Sequence, residues 1–199
     1  KNLISDINNI TIKNNEDSSF IILSTSGTTG EPKGICHSLR SIIGSAKNFA
    51  DLSCMNKKTL MYHVLPMYYM AGFLNTFFAP ILAGGQVIEG LQFTQHTMLD
   101  FWDRCLKYQA NTLCLTPTIA SSLCYMVRDK KISISNAKNL ISIHSTAGVL
   151  HQGIRDKFYQ LFGKPLQDCY GITELGGPLT IQNSDEALKN HNSGKPIPS

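Results

Sequence analysis

Charge is scarce in this sequence. Asp, Glu, Lys and Arg make up 16% of its 199 residues, against 42% hydrophobic residues. Disorder needs the opposite balance and is excluded. The net charge is only +4. Its tightest basic group is Arg128-Asp129-Lys130-Lys131, with no Arg/Lys-rich helix or stripe, so no nucleic-acid partner is expected. No apolar run reaches the length of a membrane span, and no signal-peptide pattern is expected among these residues, which leaves targeting of a longer parent open. Six cysteines (Cys36, Cys54, Cys105, Cys114, Cys124, Cys169) include no C-x-x-C pair. Zinc sites and disulfide frameworks are therefore unsupported, and reduced thiols in a cytoplasmic setting are expected. Cys114 and Cys124, flanked by leucines and Tyr125, read as core. Lys1 opens the chain, and Ser199 follows Pro196 and Pro198 without a closing element. A piece of a longer protein is expected.

What is present is alternation. A chain this long can bury roughly 70% of its unfolded surface. Phe20-Ile21-Ile22-Leu23 reads as a buried strand. Ser38 caps a helix with Leu39, Ile42, Ile43, Ala46, Phe49 and Ala50 at helical spacing. Residues 60–65 read as a strand, 70–82 as a buried helix and 86–88 as a short strand. Thr94 starts a helix with Met98, Phe101, Trp102, Cys105 and Leu106 on one face. Residues 112–115 form a strand, and Thr116-Pro117 opens the next helix with Pro at its first position. A strand over 140–144, a helix over 151–162 and a strand over 166–170 follow. Residues 1–17 and 183–199 are polar and turn-rich. The alternation predicts an α/β fold, a mostly parallel sheet flanked by helices. Ligands in such sheets bind at the carboxyl ends of strands, so chemistry is sought in the loops that follow them.

Ser24-Thr25-Ser26-Gly27-Thr28-Thr29-Gly30-Glu31-Pro32-Lys33-Gly34 follows the first strand directly. Its glycines let backbone N–H groups converge on an anion, its hydroxyls add donors, and Lys33 adds a compact positive charge. This composition cradles phosphate. It is not a Walker A loop, because Gly34 rather than Ser or Thr follows Lys33 and Pro32 interrupts the spacing. It is not a G-x-G-x-x-G loop either. A generic P-loop NTPase is thereby disfavoured.

The string resembles the signature loop of the adenylate-forming superfamily, which includes acyl-CoA synthetases, peptide-synthetase adenylation domains and luciferases. Four further segments match in the family's order. Leu65-Pro66-Met67-Tyr68-Tyr69-Met70-Ala71-Gly72 resembles the substrate-side motif. Ser145-Thr146-Ala147-Gly148-Val149-Leu150 resembles the small-residue loop, with Val149 where Pro is common. Asp168-Cys169-Tyr170-Gly171-Ile172-Thr173-Glu174 resembles Y-G-x-T-E, and Gly194-Lys195-Pro196 resembles the later G-K-P segment. Alone, Tyr170 would read as a strand-end aromatic and Glu174 as a helix-start acid favoured by the dipole. Their conjunction after a strand carries the resemblance.

The resemblance implies part of the layered αβαβα N-terminal AMP-binding core over residues 1–199, with the C-terminal domain absent. It implies that a small-molecule carboxylic acid is activated with ATP as an acyl-adenylate. A thiol of coenzyme A, or of phosphopantetheine on a carrier protein, then takes the acyl group. Thr25, Ser26, Gly27, Thr28, Thr29, Gly30 and Lys33 would hold the β- and γ-phosphates. Ala147, Gly148, Val149, Asp168, Cys169, Tyr170 and Gly171 would frame adenine. Thr173 would bond the α-phosphate, and Glu174 would ligate Mg²⁺, which prefers carboxylate and phosphate oxygens. Thr173, Glu174 and Lys33 would carry catalysis.

Tyr69, Met70, Gly72, Phe73 and His144 are the expected acyl pocket. His63 reads as a half-buried strand histidine. Tyr69 stands where many acyl-CoA synthetases carry His and amino-acid-activating domains carry Asp. The missing carboxylate speaks against an α-amino acid. A non-catalytic nucleotide-binding regulatory module stays open, on the departures at Tyr69 and Val149.

Overall fold

The computed structural model describes residues 15–25, 33–189 and 192–197. The phosphate-loop residues Ser26, Gly27, Thr28, Thr29 and Gly30 lie outside them. Strands β1 (Ser19–Thr25) and β2 (Lys33–Ser38) form an antiparallel pair separate from the main sheet. Helix α1 (Leu39–Leu52) follows. Strand β3 (Leu60–His63) leads to a π-helix (Ala71–Phe78) and a short helix α2 (Ala79–Leu82). Next come β4 (Gln86–Glu89), α3 (Phe101–Lys107), β5 (Thr112–Leu115), α4 (Pro117–Tyr125), α5 (Lys130–Ala137) and β6 (Ser142–Ser145). Helix α6 (Gln152–Phe162), β7 (Gln167–Ile172), a 3₁₀ turn (Thr173–Leu175), β8 (Gly177–Ile181), α7 (Ser184–Lys189) and β9 (Lys195–Pro196) complete the order.

The main sheet runs β4-β3-β5-β6-β7-β8-β9. Its pairs are parallel from β4 to β7 and antiparallel beyond. Strands β5 and β6 are buried at every residue, as a sheet covered on both faces requires. Alternate side chains serve opposite layers. Met61 packs with Ile42, Phe49 and Leu74 of α1 and the π-helix. Its neighbour Tyr62 packs with Phe101, Leu123 and Phe158 of α3, α4 and α6.

The caps at Ser38 and Thr116 form as the sequence predicts: each side-chain oxygen accepts from the amide three residues on. Three expectations change. The strand read at residues 20–23 is half exposed rather than buried. Leu23 is 5% exposed but Ile22 is 70%, because the hairpin packs only one face, against α1. The helix expected from Thr94 starts at Phe101. Thr94 and Thr97 instead satisfy each other's backbone, and the Thr97 hydroxyl donates to the Gln92 carbonyl, which competes with helix formation.

The helix expected over 70–82 is wound as a π-helix through Phe78. Gly72 approaches the Pro66 carbonyl so closely that a Cβ would lie 2.0 Å from its oxygen. The Thr76 hydroxyl takes the Gly72 carbonyl at 2.8 Å, and Pro80 has no N–H to continue an α ladder.

Candidate active site

One cavity of about 1160 Å³ opens where the hairpin, the π-helix and the carboxyl ends of β6 and β7 meet. Ile21, Leu23 and Thr25 of β1 form one wall. Met67 to Ala71 and Asn75 form a second, and Thr146 to Leu150 a third. Asp168 through Glu174 close it. Small-molecule sites are ordinarily about 300–1,000 Å³, so this one has room for a nucleotide and an acid together.

Local conformation exposes backbone here. Ala147 sits in the left-handed region at φ 63°, uncommon for a residue with a Cβ. Gly171 lies against the Gly177 carbonyl, where a Cβ would come within 2.3 Å of its oxygen, so a side chain is sterically barred. Tyr170 presents an exposed ring (52%) at the mouth. Glu174 is exposed and makes no hydrogen bond or ion pair among the described residues. A carbonyl only accepts, so His37 donates from Nε2 to the Thr173 carbonyl at 2.7 Å. That bond ties strand β2 to the Thr173–Glu174 turn.

Beneath the Asp168–Tyr170 wall lies a buried polar network. Arg155 donates to the Asp168 carboxylate at 2.9 Å and to the Gln182 side-chain carbonyl at 2.9 Å. The same Gln182 oxygen accepts from the Asp168 amide at 3.0 Å. Ser193 donates to Asp168 at 3.3 Å. Burial pushes the Asp168 carboxyl up from its ordinary range, and the Arg155 charge pulls it back.

The structure brings most of the candidates together. Thr25, Ala147, Gly148, Val149, Asp168, Cys169, Tyr170, Gly171, Thr173, Glu174, Tyr69 and Met70 all line the cavity. Lys33 does not line it. It pairs with Thr25 at the loop end of the hairpin and is exposed.

Three acyl-pocket candidates are placed elsewhere. Gly72 faces Pro66. Phe73 packs on Phe20 and stacks on Phe78. The i→i+5 winding of the π-helix is the cause: the residue returning over Met70 is Asn75.

His144 is fully buried behind the cavity against Phe49, their ring centroids 5.3 Å apart. Ser142 donates to the Gln167 side-chain carbonyl, so it accepts from His144 Nε2 at 2.8 Å. His144 Nδ1 has no hydrogen-bond partner among the described residues. Burial pulls the imidazole down to about 4 from 6.5. The folded state therefore resists a proton that the unfolded chain accepts. Stability present above pH 6.5 should fall as pH drops toward 4, by at most about 3 kcal/mol. The melting temperature between neutral pH and pH 4.5 checks this. His144→Phe should flatten the dependence, and an equally steep profile would contradict the assignment.

His37, Asn75, Arg155 and Gln182 were not legible as site residues. For Arg155 a signal existed. Buried Arg155, Phe158 and Phe162 share the i, i+3, i+7 spacing of an apolar face, one position away from the Ile154–Phe158–Leu161 face expected from hydrophobicity.

A family model described as AMP-binding enzyme matches residues 5–199. The chain belongs to this family. It is 25% identical over 162 residues to the sulfoacetate–CoA ligase of Cupriavidus necator, covering 81% of this chain and 30% of that one. It is 25% identical over 176 residues to the human mitochondrial malonate–CoA ligase, covering 80% of this chain and 30% of the relative. The chain thus spans about a third of the length of such curated relatives. The ATP-bound crystal structure of MatB from Rhodopseudomonas palustris superposes with a TM-score of 0.80 at 23% identity, over 94% of this chain and 36% of that one. That likeness establishes the shared fold: an α/β domain with a mostly parallel sheet between helices. Among the described residues no helix is long and apolar enough to cross a membrane.

Proposed function

We propose that this chain supplies the nucleotide site and much of the acyl site of an ATP-dependent acid–thiol ligase, the rest of which lies in a longer parent protein. The observation that carries the reading is the convergence of Thr25, the Ala147–Val149 turn, Tyr170 and the Thr173–Glu174 turn on one cavity. These are the elements that an activating site for a carboxylic acid needs in one place.

In the first step a carboxylate oxygen of the acid attacks the α-phosphorus of ATP, and pyrophosphate leaves. In the second a thiol, of coenzyme A or a phosphopantetheine arm, attacks the acyl carbonyl, and AMP leaves. Charge spreads over phosphate oxygens, so catalysis rests on positioned donors and cations. Residues 25–30 and Lys33 hold the β- and γ-phosphates and guide pyrophosphate out. The Tyr170 ring lies against adenine, and Ala147 to Val149 let the base approach the backbone. The Thr173 hydroxyl donates to an α-phosphate oxygen, its turn held by His37. Glu174 fits Mg²⁺, because its carboxylate is exposed and uncommitted and the ion needs only one or two protein carboxylates beside phosphates. Bound there, Mg²⁺ would neutralise phosphate charge.

The acid carries no second anionic group in this reading. Arg155 is the one cation among the described lining residues, and Asp168 already holds it. Malonate and sulfoacetate, named for two relatives, would find no free cation there.

Acid-dependent exchange of labelled pyrophosphate into ATP by the full-length parent tests the reading. Exchange with at least one acid of a broad panel is expected. Tight ATP binding with no exchange for any acid would make the protein a regulatory nucleotide binder instead.

A further inference from the structure

Asn75 is a polar side chain that the proposed chemistry does not use. It lies on the π-helix, lines the cavity and is 2% exposed. Its amide lies beside the Cys114 thiol on β5 and favours the thiolate there, against the larger opposing effect of burial. Oδ1 has no partner. Leu23, Met70, Ala71 and Cys169 of the same lining are buried and apolar. A buried acceptor in such surroundings bears an uncompensated desolvation penalty until a donor reaches it. Tyr170 lines the same cavity but is 52% exposed. A charged triphosphate needs solvated surroundings, so in the ligase reading the acyl tail takes the buried part of the lining, to which Asn75 belongs.

We propose that Asn75 Oδ1 reads a hydrogen-bond donor on the tail of the acid. The preferred substrate class is a monocarboxylate carrying a hydroxyl, phenol or amide N–H remote from its carboxylate. This rests on the ligase reading above. The π-winding makes it specific to this helix, since it puts Asn75 where an α-helix would present Phe73 or Leu74. A site built to pair a substrate donor rejects the analogue lacking it, because its own acceptor is then stranded.

The test is pyrophosphate exchange by the full-length parent with matched acids. Para-hydroxyphenylacetate is set against para-methylphenylacetate, an ω-hydroxyalkanoate against the alkanoate of equal length, and each against a dicarboxylate. The hydroxylated member of at least one pair should win by roughly 100-fold or more in kcat/KM. Asn75→Leu should collapse that ratio to below about 10-fold by raising activity on the unhydroxylated acid. The wild-type ratio stands whether or not the variant folds. Exchange that shows no hydroxyl preference, or that favours the dicarboxylate, overturns the inference and leaves the ligase reading intact. No exchange with any acid overturns both. ATP alone should bind Asn75→Leu as it binds wild type. Weakening there by the same factor would assign the acceptor to the adenine amino group and overturn the acid assignment.

Discussion

Replacing Glu174 by Gln is expected to cut acid-dependent pyrophosphate exchange by on the order of 10²–10³-fold, the scale on which a preorganised electrostatic contact acts. Glu174 is exposed in the 3₁₀ turn after β7 and holds no other described residue. The turn itself is set by backbone: His37 grips the Thr173 carbonyl, and the Gly176 amide bonds the same carbonyl at 3.0 Å. The substitution keeps the side-chain shape and breaks no fold contact. Stability should stay within about 0.5 kcal/mol, as for surface changes generally. Activity and melting temperature therefore separate. Exchange that survives in Glu174→Gln would remove Glu174 from the chemistry, and a large fall in melting temperature would give it a structural role instead.

Arg155→Met carries the largest expected effect on stability. Arg155 and Asp168 are 7% and 13% exposed at their side chains, and the guanidinium also serves Gln182 and the Leu166 carbonyl. Removing one partner of a buried pair leaves the other charge uncompensated, at a cost of about 3–5 kcal/mol. Here the uncompensated charge would be the Asp168 carboxylate. Replacing both charges at once, as Arg155→Met with Asp168→Leu, should cost clearly less than the two single changes together. Denaturation of the four proteins gives the coupling directly. Strict additivity would show that the pair does not act as a unit. Because Asp168 frames the cavity, Arg155→Met should also weaken ATP binding in whatever fraction remains folded.

The sequence made the parallel strands and the well-capped helices legible because their signals are local. The apolar stretch Leu113-Cys114-Leu115 marked β5, and Ser38 and Thr116-Pro117 marked helix starts. The cavity residues at the ends of β6 and β7 were legible for a different reason: the family's motifs lie there in order. What escaped depends on tertiary context. Strand β2 has no strand pattern of its own and forms by pairing with β1. Helix α5, Lys-Lys-Ile-Ser-Ile-Ser-Asn-Ala, has no apolar stripe. Helix α7 was hidden in a polar stretch, although Asn183 and Glu186 cap each other reciprocally, a box readable in Asn-x-x-Glu. The π-winding, which replaces Phe73 by Asn75 in the cavity, arises from Gly72 packing on Pro66, the Thr76 back-bond and Pro80 together. No single periodicity contains it.

The central claim is that a carboxylate oxygen becomes bonded to the α-phosphorus of ATP in this cavity. It is tested most directly by giving the full-length parent an acid whose carboxylate carries heavy oxygen, together with ATP and coenzyme A. If an acyl-adenylate forms and the thiol attacks its carbonyl, the bridging oxygen leaves with the nucleotide. Mass spectrometry should then find AMP carrying one heavy oxygen, in step with the thioester made. Heavy oxygen in inorganic phosphate, with ADP as the nucleotide product, would mean an acyl phosphate and would contradict the account.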